Sequence, residues 1–284
     1  MHKIFNGEDF QVLTHFDLDG AGGPLLLRHC VNDQITKVYP CGYGKILSWL
    51  QKNYGKNLFI SDLSLSQEEI ETADMNFANV IWADHHETSQ GLDYPEHWKI
   101  MITMKCSATK IIYLWLKHIG YDVECAKSFV DNVDDYDMWI HKIPSSMMLN
   151  NIFWELSFWK FTDAFRKFTF NKDLWKKAKE LQEEKLIEIA SYENYCIEDT
   201  LRVVIGKKYV SDIKLFYPNE EHIIILTGKS KMSIRSSLDL SNFYKELEKI
   251  GIKAGGHKNA GGVDFKGEPM VVIELFYDFI KKEK

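Results

Sequence analysis

Residues 79–86, NVIWADHH, set a short apolar run directly against an aspartate and two histidines. A run this short, rich in β-branched and aromatic side chains, reads as a buried strand that ends where the polar residues begin. The same design occurs twice upstream. Residues 10–14 (FQVLT) run into His15-Phe16-Asp17-Leu18-Asp19-Gly20, and residues 56–61 (KNLFIS) run into Asp62. Residues 21–31 carry a helical pattern, and Ser66 followed by Gln-Glu-Glu opens a second helix with an N-cap and an acidic first turn. Strands alternating with helices predict an α/β fold built on a parallel sheet. Ligands of such sheets sit beyond the carboxyl ends of the strands, which is where all three polar clusters fall.

Further along, residues 107–117 and 125–133 read as helices, the second running into Asp134, Asp135 and Asp137. Residues 151–170 are very aromatic, a pattern more often found as core than as a stacking platform for bases. Residues 172–194 read as a charged helix connecting two domains. Beyond it, strands at 203–205, 223–227 and 233–234 and helices at 241–250 and 269–281 predict a smaller α/β domain. Within that domain, GGHKNAGG at 255–262 has four glycines in eight residues. This density precludes a regular helix and leaves backbone N–H groups able to approach an anion. The expected division is a parallel-sheet domain over 1–170, a helical linker over 171–196 and a second domain over 197–284.

Composition narrows the function. The 284 residues carry a formal charge of −6, which speaks against a globally basic nucleic-acid coat and against long-duplex binding. The charge is uneven: from Tyr195 onward there are 15 Lys+Arg against 13 Asp+Glu, so that part is +2 and residues 1–194 are −8. Five scattered cysteines with no C-x-x-C pair suit a reducing compartment and oppose both a disulfide framework and a zinc–cysteine site. No apolar leader opens the chain and no run of 18 apolar residues follows, so the expectation is a cytoplasmic protein with no membrane partner.

Taken singly, the polar clusters say little. D-x-D at residues 17–19 is most often a turn or a helix cap, and Asp62 reads equally well as a cap. Asp84-His85-His86 says more, because a carboxylate beside imidazoles resembles a metal ligand with its orienting partner. Together they bring at least five carboxylates and two or three imidazoles to one end of a sheet. Such a concentration is costly to bury unless cations compensate it. Oxygen and nitrogen donors without thiolate favour manganese, magnesium or iron over structural zinc. A carboxylate shared by two ions would make a clamp for a phosphoryl group.

HFDLDG, the strand-ending ISD, ADHHE and DDYDMW resemble, in order and context, the motifs of the DHH phosphoesterase superfamily. GGHKNAGG, preceded by SIRSS, resembles the signature of the DHH-associated C-terminal domain. The resemblance spans residues 10–265, and D-D-Y-D-x-W is most similar to oligoribonucleases of the NrnB type. It implies two manganese ions, with magnesium as the alternative. It assigns Asp17 and Asp19 one to each metal, Asp62 as the bridge and His85 as a ligand with Asp84 behind it. His86 would contact phosphate and serve as a proton partner. His15 is implied as a further ligand. Asp135, four residues before Trp139, is implied as the last ligand, with Asp134 and Asp137 as rivals. In the second domain Arg235, Gly255, Gly256, His257, Gly261 and Gly262 would hold a substrate phosphate.

The function expected on this basis is hydrolysis of short oligonucleotides or linear dinucleotides to mononucleotides. A cyclic-nucleotide phosphodiesterase and a phosphatase for 3′-phosphoadenosine 5′-phosphate would use the same metal centre. From a different class stands a nucleotide-sensing protein that has the fold without the chemistry. Such a protein would be expected to have lost ligands that this chain retains.

Overall fold

The computed structural model describes residues 3–283, without the side chain of His257. Two compact units divide it, Met1–Leu181 and Gln182–Lys284.

In the first unit the order is β1 (Phe10–His15), α1 (Leu18–Val31), β2 (Ile35–Cys41), α2 (Ile46–Leu50), β3 (Gly55–Ser61), α3 (Gln67–Asn76) and β4 (Phe77–Asp84). It continues with β5 (Lys99–Ile102), α4 (Ala108–His118), α5 (Lys127–Asp137), α6 (Pro144–Ala164) and α7 (Lys172–Ala190), which runs across the boundary between units. The five strands are parallel and ordered β2-β1-β3-β4-β5. β2 is an addition to the strands expected from the sequence. It carries Pro40, which cannot donate to a ladder and is tolerated because the strand lies at the sheet edge.

The strand order reverses direction between β1 and β3, and a ligand site of such a sheet lies at that switch point. The ends of β1, β3 and β4 carry the three clusters singled out in the sequence. One face of the sheet packs Leu26, Phe59, Ile112 and Val130 with the helices α1, α4 and α5. The other packs Leu13, Ile60, Trp82 and Trp49. Strands buried on both faces read as continuous apolar runs, which makes the pattern legible in the sequence.

Two local devices position the site. Ser66 caps α3 in a reciprocal capping box with Glu69, as its sequence context predicts. At the start of α1, close approach is compulsory. A Cβ on Gly20 would fall on the carbonyl oxygen of His15, and one on Gly22 would fall on the hydroxyl of Thr109 in α4.

The second unit holds β6 (Glu193–Ile197), β7 (Leu201–Ile205), α8 (Ile213–Phe216), β8 (His222–Leu226), β9 (Lys231–Ser236), α9 (Ser241–Lys249), β10 (Lys253–His257), β11 (Ala260–Asp264) and α10 (Pro269–Glu283). Its sheet is mixed, ordered β10-β11-β9-β8-β7-β6, with only β7 and β8 parallel. Successive isoleucines of β8 alternate between two cores: Ile224 joins Phe243 and Phe276, while Ile223 and Ile225 join Ile189 and Ile213. GGHKNAGG is a hairpin rather than an open loop. Gly255 pairs with Gly262 and Gly256 with Gly261, and β11 is paired on its other side to β9. Backbone groups of β11 therefore serve the sheet ladder and are not generally available to an anion.

The close approach of α1 makes a prediction. Gly20→Ala places its methyl against backbone that cannot yield, and overpacking of this kind costs about 1–3 kcal/mol. For a unit of this size the melting temperature should fall by roughly 2–10 °C in differential scanning calorimetry. An unchanged melting temperature would mean that α1 does not approach β1 as described.

Candidate metal centre

β1 delivers His15 as its last residue, and the turn after it makes Asp17 the N-cap of α1, with Asp17 Oδ1 accepting from Gly20 N at 2.8 Å. Asp17 Oδ2 lies 2.7 Å from His15 Nδ1. In the first turn of the helix, Asp19 is buried and accepts from the first two amides of α4, Ala108 N at 2.7 Å and Thr109 N at 2.8 Å. The N-terminus of α4 thus offers partial positive charge to this carboxylate.

Asp62 follows β3 with φ of +56°, a left-handed conformation that aspartate tolerates better than most residues. Its two oxygens look in different directions. Oδ1 is 3.3 Å from His85 Nε2, and Oδ2 is 3.7 Å from His15 Nδ1. Two donor groups therefore meet at Asp62. One is His15, Asp17 and Asp62; the other is Asp19, His85 and Asp137, in which His85 Nε2 stands 3.7 Å from Asp19 and 3.3 Å from Asp137. A third overlapping group joins Asp62, His85 and His86.

Of the three rival aspartates, Asp137 and not Asp135 lies beside His85. All three candidate aspartates lie in the last turn of α5, but helix geometry sends them apart. Residues two apart do not share a face. Asp135 accepts from Lys142 N, Ile143 N and the Ser146 hydroxyl, which occupies it in tying down the segment that leads into α6. Asp134 accepts from Ser107 N and pairs with Lys110 at 2.6 Å. Asp137 alone of the three faces His85.

Asp84 also differs from expectation, since it supports His86 rather than His85. His86 Nδ1 lies 2.7 Å from Asp84 Oδ1, and the buried Ser89 hydroxyl donates to Oδ2. A carboxylate only accepts, so Nδ1 carries a proton, and Nε2 lies 2.9 Å from the Tyr43 hydroxyl. Tyr43 and Ser89 are not among the residues that the sequence singles out, because neither has a motif around it.

Arg235 lies on β9 opposite Ala260 of the hairpin, and its Nη1 donates to Ser233 Oγ at 2.6 Å and to the Ile234 carbonyl at 2.9 Å. Gly255, Gly256, Gly261 and Gly262 are the paired residues of that hairpin. The His257 side chain lies outside the described residues.

Burial, then Asp17 and Asp19, push Asp62 well above the usual carboxylate range. Burial, then Asp19, does the same to Asp137, and burial, then Asp17, raises Asp19. Burial works against a charged His15, yet Asp17 and Asp62 outweigh it and push the imidazole up to about 10. His85 rises likewise, with Asp19 and Asp137 overcoming its burial. Burial opposes ionisation of Asp17, but His15 holds it down at about 2. In addition Asp62 Oδ2 and Asp137 Oδ2 are buried with no hydrogen-bond partner among the described residues. Orphaned carboxylate oxygens among imidazoles, with no thiolate, fit a divalent cation that takes oxygen and nitrogen donors.

No protein-family model matches the chain, and no curated protein matches it significantly. Solved structures do match. A DHH-domain protein, described as belonging to a family of ribosomal proteins, superposes with a TM-score of 0.71 at 15% identity, over 97% of this chain and 87% of that one. RecJ from Thermus thermophilus, in complex with Mn2+, gives 0.60 at 13% identity over 96% of this chain, which spans only 51% of that protein. An exonuclease RecJ bound to manganese gives 0.53 at 14% identity, over 96% and 89%. The chain therefore shares the two-unit DHH fold. Among the described residues no helix is long and apolar enough to cross a membrane.

The carboxylates can be tested by their stability as well as by their ligands. A carboxyl whose folded pKa is raised costs stability once pH exceeds its unfolded value, and the cost grows until the folded value is passed. Asp62→Asn removes that cost. The metal-free variant should melt with wild type at acid pH and increasingly above it as pH rises toward neutrality. A variant that melts below wild type at neutral pH would show that Asp62 is not in conflict with its neighbours. A second experiment compares the rival aspartates by calorimetric titration with manganese. Asp137→Asn should weaken binding with little loss of metal-free stability. Asp135→Asn should instead lower the melting temperature and leave binding close to wild type, and the reverse pattern would return Asp135 to the ligand set.

Proposed function

We propose that the chain is a metal-dependent phosphoesterase that hydrolyses short oligonucleotides or linear dinucleotides to mononucleotides. The observation that carries this reading is Asp62, whose two oxygens face two separate Asp–His groups while one of them has no hydrogen-bond partner among the described residues. His15, Asp17 and Asp62 would hold one cation, and Asp19, Asp62, His85 and Asp137 the other, manganese or magnesium by the character of the donors. Bound there, a pair of divalent cations supplies neutralisation of phosphoryl charge and a more acidic attacking water.

The chain's own residues do the positioning. Asp84 keeps the Nδ1 proton of His86 and fixes its ring, and the Tyr43 hydroxyl marks the point to which Nε2 is aimed. Once protonated, Nε2 becomes a donor to a phosphate oxygen or to a leaving alkoxide, the role of a general acid. The α4 N-terminus holds Asp19 in place through two amides, so the carboxylate stays aimed without reorganisation. For the second unit the proposal is an anion contact at Arg235, pre-set by its bonds to Ser233 and Ile234. A short substrate suits the acidic surroundings of the carboxylate cluster, which need no basic groove to thread it past the cations.

A manganese-supplemented panel of pApA, longer oligonucleotides, cyclic nucleotides and 3′-phosphoadenosine 5′-phosphate, read by chromatography, tests the reading. The linear dinucleotide should be turned over fastest. Preference for a cyclic or monomeric substrate would move the activity within its class, and no turnover at all would leave a binding protein. Arg235→Ala should lower kcat/KM on pApA roughly ten- to a hundredfold, the worth of a charge-assisted contact. It should leave bis-p-nitrophenyl phosphate nearly unaffected. Equal losses on both substrates would remove Arg235 from recognition.

A further inference from the structure

The aromatic stretch of α6 and its C-cap residue Phe165 sorts by residue type. Phe153, Phe158, Phe161 and Phe165 are buried and form much of the core expected of them, whereas Trp154 and Trp159 remain 58% and 47% exposed. The surrounding charge changes as well. Residues 159–179 carry seven Lys+Arg against two Asp, within a region, 1–194, that is −8. Exposed indoles interleaved with cations are the composition of a surface that stacks nucleobases.

Trp159 borders a cavity of about 510 Å³ that also takes in Arg28, His29, Asn32, Asp163 and Arg166. That volume is within the range of small-molecule sites. The Arg28 guanidinium lies over the Trp159 ring, 5.7 Å from its centroid. Arg166 pairs with Asp163 at 2.7 Å, so one carboxylate answers two guanidinium groups and the cavity stays positive. Arg28 sits in the last turn of α1, nine residues beyond Asp19, which at 1.5 Å per residue is roughly 14 Å along the helix. The cavity is therefore separate from the carboxylate cluster at the other end of α1.

We infer that this cavity docks one nucleotide of a single-stranded nucleic acid, its base against Trp159 and Arg28 and its phosphate on Arg166. An acidic peptide would satisfy the charge, but it would leave the exposed indole face without a flat partner. The site goes beyond the proposed hydrolysis: it would let the chain hold a strand at a point remote from the carboxylates. It does not depend on a metal.

The test is fluorescence anisotropy of a labelled single strand of about twelve nucleotides, within the usual site size for such surfaces. It is run on the full chain in EDTA, so that no turnover occurs and failure of the hydrolytic reading leaves it untouched. Loss of one base-stacking contact is worth about 1–3 kcal/mol, so Trp159→Ala should raise Kd roughly 5- to 150-fold. Arg166→Gln should reduce the slope of log K against log salt by about 0.7, the share of one phosphate contact. Arg166 is 72% exposed, so this variant keeps the test open should Trp159→Ala not fold. Lys52→Glu, an exposed charge reversal on the same unit outside the cavity, should bind the strand almost as wild type does. The inference is overturned if wild type does not bind, if both cavity variants bind like wild type, or if polyglutamate displaces the strand as readily as unlabelled strand does.

Discussion

Four carboxylates and two imidazoles gathered at one end of a parallel sheet impose the constraint around which the first unit is organised. Asp17, Asp19, Asp62 and Asp137 repel one another, and the burial of Asp19 and Asp62 leaves that repulsion only partly screened by water. The polypeptide's own groups respond to that repulsion. His15 and His85 are driven toward their charged forms, and three of the four carboxyls toward their neutral ones. An arrangement that stabilises the fold so poorly by itself makes physical sense as a cation cradle. Perturbations of this kind cluster at functional sites.

The surrounding structure serves direction more than energy. Asp62 occupies a left-handed backbone conformation, held by its amide donating to Ala83 O at 2.9 Å, and this turns its oxygens toward both groups. Gly20 and Gly22 let α1 approach β1 and α4 until Asp19 meets the α4 amides. Behind the cluster, Ser89, Asp84, His86 and Tyr43 form a hydrogen-bonded chain that leads from the buried interior to the surface. Each of these features is a placement constraint, and each would lose its purpose if the carboxylates faced elsewhere.

The sheet and its strand-end clusters are legible in the sequence because a strand buried on both faces leaves an unbroken apolar run, and the polar residues stop it abruptly. What stays hidden depends on the third dimension. Asp135 fits a spacing to an aromatic residue, but α5 extends through Asp137, and helix geometry puts residues 135 and 137 on different faces. Reading the helix to its true end shows which of the three lies beside His85. Asp84 next to His85 suggests a pair, yet residues adjacent in sequence at a strand end point apart, and His86 is the partner. The glycines of 255–262 signal special backbone, and their actual use is close pairing in a hairpin rather than an open cradle. Tyr43 and the edge strand β2 leave no signal, one being a lone aromatic and the other a strand interrupted by proline. The tryptophans of α6 carry a signal that composition alone assigns to the core, since burial separates them from the phenylalanines only in the fold.

The central claim, that Asp62 joins two cation sites, is tested most directly by electron paramagnetic resonance of the protein titrated with manganese. Two ions per chain sharing a carboxylate should give an exchange-coupled spectrum that grows in with the second equivalent. A single ion per chain, or two ions with the independent six-line pattern, would contradict it.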